Sequence, residues 1–91
     1  MMKKTVEIEC VGIQDIHEII EDAAAAMQLG NYVGVKLSNR EGICEVLVYI
    51  MLGKWDSVRQ FDYIYNFFAT DSSFDVNEMN RCKNTLKNLL V

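Results

Sequence analysis

The apolar spacing of this chain changes period at one glycine. In TVEIECV (5–11), Val6, Ile8 and Cys10 alternate with Glu7 and Glu9, which is the two-residue period of a half-buried strand. Past Gly12, the residues Ile13, Ile16, Ile19, Ile20, Ala23, Ala24 and Met27 recur every three or four positions. At ~100° per residue they share one arc, so the segment reads as an amphipathic helix. Gly30-Asn31 suits the left-handed stop that ends such a helix. A strand and a helix joined so closely commit the chain to a mixed α+β fold.

The remaining segments fit the same class. YVGVKL (32–37) and ICEVLVYIML (43–52) are rich in β-branched and aromatic residues, and the intervening glycine turn makes them a hairpin. Ser38 and Glu41 would also satisfy a capping box for a helix over 43–52, but the turn and the β-branched content favour a strand. Residues 55–69 place Val58, Phe61, Ile64, Tyr65 and Phe68 on one helical arc. In the last helix Asp75 is the expected cap, and Val76, Met79, Cys82, Leu86, Leu89 and Leu90 share one side. The expected order is β-α-β-β-α-α over residues 1–91, one domain with a three-stranded sheet and helices packed on one face.

Composition narrows the function classes. A chain of 91 residues, 51% apolar, is globular material with room for one core. VLVYIML (46–52) stops at Gly53, short of the ~20 residues of a membrane span. No signal sequence is visible, and three widely spaced cysteines favour neither a disulfide framework nor a zinc site. The expectation is a cytoplasmic protein that needs no cofactor or metal. No phosphate loop, serine elbow or paired metal-ligand spacing occurs, so no catalytic residue is expected. A Cys–His pair of His17 with Cys10 or Cys44 would need proximity that only the fold could supply.

The net charge of −4 resides in residues 1–30, where Glu7, Glu9, Asp15, Glu18, Glu21 and Asp22 face only Lys3 and Lys4. The remainder of the chain is neutral. Asp15, Glu18 and Asp22 form a stripe opposite the isoleucines with no base of their own, and like charges so spaced repel. Replacing Glu18, Glu21 and Asp22 by glutamine is therefore expected to leave folding unharmed or slightly improved. Scattered lysines and arginines argue against direct nucleic-acid binding. An uncompensated acidic face instead suits a protein with a basic or nucleic-acid-binding surface. Trp55, Tyr63 and Phe67 fall outside the core arc of the 55–69 helix and read as an exposed aromatic patch.

These features point to a small acidic protein-binding domain, a non-enzymatic inhibitor or adaptor of the antitoxin, immunity or phage anti-defence kind. Its contacts would be the acidic residues and the aromatic patch. The alternative is a homodimeric structural or regulatory domain with that patch at its two-fold interface.

Overall fold

The computed structural model describes residues 11–91, so the expected strand at 5–11, with Glu7 and Glu9, lies outside the described residues. Helix α1 (Ile13–Gln28) leads into strands β1 (Tyr32–Arg40), β2 (Ile43–Met51) and β3 (Tyr63–Phe68), and helix α2 (Ser73–Leu89) follows. The strands form an antiparallel sheet in the order β1-β2-β3. Both helices pack on one face of it, an α+β arrangement.

The β1–β2 hairpin turns through Glu41 and Gly42, with φ values of 55° and 88°. Positive φ at both central positions is the type I′ geometry that matches strand twist. Asn39 supports the turn by accepting the Gly42 N–H. Pairing continues from Arg40↔Ile43 to Tyr32↔Met51, so β1 runs three residues beyond the expected end at Leu37.

The period-two alternation sorts the sheet into two faces. Val33, Val46, Val48, Ile50, Tyr65 and Phe67 are buried beneath the helices with Ile16, Ile19, Ala23, Ala26, Val76, Met79, Cys82 and Leu86. The opposite face presents Tyr32, Lys36, Leu47, Tyr49, Ile64 and Asn66. Gly34 lies across from Tyr49 on this face, and a Cβ at Gly34 would collide with the Tyr49 ring. Any side chain at position 34 would force the Tyr49 ring to shift.

Residues 55–69 do not form the expected helix. A loop after β2 carries Asp56, whose Oδ1 accepts the Val58 N–H, and Asp62, whose Oδ2 accepts the Leu52 N–H at 2.7 Å. Arg59 pairs with Asp62 at 2.9 Å and closes the loop. YIYNFF then enters the sheet as β3. Its aromatic and β-branched side chains stand on both strand faces, and an apolar run of that kind fits helical spacing equally well.

The start of α2 differs as well. Its N-cap is Ser72, whose side chain accepts the Phe74 N–H, and Asp75 sits inside the first turn. The buried Asp75 carboxylate accepts the Phe68 N–H at 3.0 Å and the Thr70 hydroxyl at 2.8 Å. It therefore joins the helix to the end of β3 rather than capping it.

Candidate functional site

The acidic face of α1 is not left without bases, because α2 supplies them. Lys83 Nζ lies 2.8 Å from Asp15 Oδ1 and 3.2 Å from Glu18 Oε1. Lys87 Nζ lies 3.0 Å from Glu18 Oε2 and 2.8 Å from Asp22 Oδ2. The i, i+3, i+7 stripe of acids meets an i, i+4 pair of lysines, forming a ladder along the α1–α2 groove. Only Glu21, of the four acids, has no ion pair among the described residues. The repulsion expected from sequence is offset by these pairs, and with it goes the main argument for a basic partner at this face.

The ladder sets the protonation of its members. Burial raises the pKa of Asp15, but hydrogen bonds from Lys83 and from the Gly12 N–H outweigh it and hold the carboxyl below its ordinary range. Hydrogen bonds from Lys87 and Lys83 hold Glu18 low. Burial lowers Lys83, yet its bonds to Asp15 and Glu18 leave it above the usual lysine value. Lys87 is raised by Asp22 and Glu18.

The aromatic patch also changes membership. Tyr63, Tyr65 and Phe67 share the helix-covered face of β3, and Phe67 is 0% exposed, a core residue. Tyr63 sits at the rim of that core, its ring stacked on Tyr65 with centroids 6.3 Å apart. The two do not form an exposed pair. Trp55 does remain at the surface, 54% exposed, on the opposite face. There its ring centroid lies 4.9 Å from Tyr32 and 5.9 Å from Phe61, and Phe61 lies 4.9 Å from Tyr49. Four aromatic rings thus gather on the sheet face opposite α1 and α2. The strand reading of 32–37 and 43–52 is compatible with Tyr32 and Tyr49 on one face, but the helix expected over 55–69 placed Phe61 in the core and hid its grouping with Trp55.

A second feature is an apolar groove of about 560 Å³ at the hairpin end of α1. It is lined by Val11, Gly12, Ile13, Ile16, His17, Ile20, Leu37, Cys44 and Ala69. His17 and Cys44 both reach this groove, but no hydrogen bond joins them among the described residues. Cys82 is buried in the core, where desolvation and then the charge of Glu78 push its thiol up to about 12. Among the described residues no group of three or more His, Cys, Asp or Glu side chains is placed to hold a metal ion. No helix among them is long and apolar enough to cross a membrane. Comparison with family models, with curated proteins and with solved structures finds no match.

Proposed function

We propose that this protein is a small protein-binding domain, a non-enzymatic inhibitor or adaptor, and that it holds its partner on the sheet face opposite α1 and α2. The observation that carries this reading is the cluster of Tyr32, Tyr49, Trp55 and Phe61 on the face opposite the helices. These rings contribute nothing to the helix-covered core, and large aromatic side chains with polar handles are the usual anchors of protein interfaces. Asp15, Glu18 and Asp22 support the domain from within, so the partner need not be basic at that face. Glu21, Lys36 and Lys54 leave the rest of the surface mixed in charge, which suits a partner offering aliphatic or cationic side chains to the rings.

Trp55 is the chain's single tryptophan and reports on this face directly. Affinity capture from host lysate with wild type, Trp55→Ala and Tyr49→Ala identifies a candidate, and the purified candidate is then titrated against Trp55 emission. The reading expects a blue shift on binding and at least tenfold weaker binding by either variant, with both variants still folded. A captured protein bound equally by both variants, with Trp55 emission unmoved, would overturn it.

A further inference from the structure

The apolar arc of α1 is wider than the core it covers. Ile16, Ile19, Ala23 and Ala26 are buried, while Ile13, Ile20 and Met27, at i, i+7 and i+14, stay 72%, 42% and 48% exposed. His17 and Ala24 fill the intervening positions, so the five residues are spaced alternately by four and three, the repeat of a helix-packing seam. At ~100° per residue this seam lies nearly opposite Asp15, Glu18 and Asp22. Those acids are held against α2, and α1 packs over β1. The seam therefore points away from α2, out past the free edge of β1. Leu37 of β1, 49% exposed, stands beside it in the same groove.

That edge is open among the described residues. The Ala69 N–H donates to the Cys44 carbonyl, so the even-numbered residues of β2 turn to β3 and the odd-numbered ones to β1. Through the β1–β2 register, Val33, Val35, Leu37 and Asn39 direct their N–H and C=O groups away from the sheet. A nine-residue edge strand beside an exposed apolar helix stripe is a template for another strand with another helix.

We propose that a second copy of this chain docks here about a two-fold axis, joining β1 to β1 antiparallel and packing α1 against α1 above them. The seam is self-complementary about Ile20. Reversing the helix about Ile20 sets Ile13 against Met27 and Ile20 against itself, with His17 falling one residue from the small Ala24, an arrangement an isologous contact can accept. The seam contains no Asp, Glu, Lys or Arg, so no such charge is buried. The same axis that reverses α1 also reverses β1, giving the antiparallel pairing its edge can accept. Strands ~4.8 Å apart below and helices ~8–10 Å apart above are mutually compatible spacings. Glu21 and its symmetry mate flank the seam on one rim, so this dimer tightens as salt screens them.

Sedimentation velocity over a concentration series tests the proposal. The wild type is expected to rise from the 10.4 kDa monomer to twice that mass. Ile20→Glu should stay monomeric at tenfold higher concentration with unchanged circular dichroism, because Ile20 lies outside the core. Leu37→Pro removes an outward N–H and the Leu37 side chain beside the seam while breaking no β1–β2 hydrogen bond, and should have the same effect. Hydrogen exchange should show Val33, Val35, Leu37 and Asn39 gaining protection as the wild type associates, and added salt should favour the dimer. A wild type monomeric throughout would overturn the proposal, as would a dimer indifferent to both variants or one that weakens with salt. A monomer that binds hydrophobic dye at α1 only after deletion of residues 1–10 would assign the stripe to the chain's own N-terminal segment and likewise overturn it.

Discussion

Replacing Lys83 by methionine removes the charge shared by Asp15 and Glu18 while keeping most of the apolar stem. The Lys83 side chain is only 18% exposed, with its partners at 2.8 and 3.2 Å. Fully exposed pairs contribute about 0.2–1 kcal/mol, and breaking a fully buried one costs about 3–5 kcal/mol. This half-buried pair belongs between those limits and toward the lower one, because Glu18 is itself well solvated. The expected loss is about 1–2 kcal/mol, and each kcal/mol shifts the melting temperature of a domain this size by roughly 4–8 °C.

The pH dependence separates charge from packing. Asp15 and Glu18 titrate below their ordinary values in the folded protein, so their contribution is complete above the unfolded carboxylate pKa of ~4 and is lost as pH falls through the folded values. Lys83 titrates above its ordinary value, so its contribution is complete below ~10.4 and is lost as pH rises through the folded value. Thermal melts of wild type and Lys83→Met should therefore differ by a constant amount from about pH 5 to 10 and converge at both extremes. A double-mutant cycle with Asp15→Asn should return a coupling of about 1 kcal/mol. Identical melts at pH 7, or a difference that persists unchanged at pH 2, would refute the ladder as an electrostatic element.

Three further outcomes follow from the same geometry. The triple change Glu18→Gln, Glu21→Gln, Asp22→Gln should lower the melting temperature, the reverse of the expectation from like-charge repulsion alone, since three of the four ladder contacts involve Glu18 or Asp22. Asp75→Ala should cost about 1–3 kcal/mol in urea unfolding, because it strips the Phe68 N–H and the Thr70 hydroxyl of their acceptor. Cys82 should resist a thiol reagent at neutral pH until the protein unfolds, its thiol being buried and pushed up to about 12, whereas the half-buried Cys44 should react before it.

The elements most readable from sequence were those with a single clean period and a marked end. The 13–28 helix followed from its spacing, and the strand expected over 43–52, observed at Ile43–Met51, followed with its hairpin from β-branched content and the glycine turn. Residues 63–68 were misread because Tyr65 and Phe67 face the helices while Ile64 and Phe68 occupy the other side. With apolar groups on both faces, a period of two leaves no signature. Phe67 was consequently assigned to the surface and is instead in the core. The ladder was hidden for a different reason. The acids of α1 have no base near them in sequence, and Asp15 and Lys83, 68 residues apart, meet only in space. The clue available was a matching of stripes, i, i+3, i+7 in one helix and i, i+4 in the other.

That separation also bears on the order of folding. The β1–β2 turn closes over two residues, whereas joining Asp15 to Lys83 closes a loop that spans most of the chain, at an entropic cost of roughly 4 kcal/mol. Contacts so distant in sequence mature last, after the hairpin has formed and β3 has joined it. Interactions absent from the transition state govern how fast the native state opens rather than how fast it is reached. The lysines of α2 therefore act on lifetime: losing Lys83 should leave the refolding rate nearly unchanged and multiply the unfolding rate, so that α1 and α2 part sooner while the sheet assembles on the same schedule.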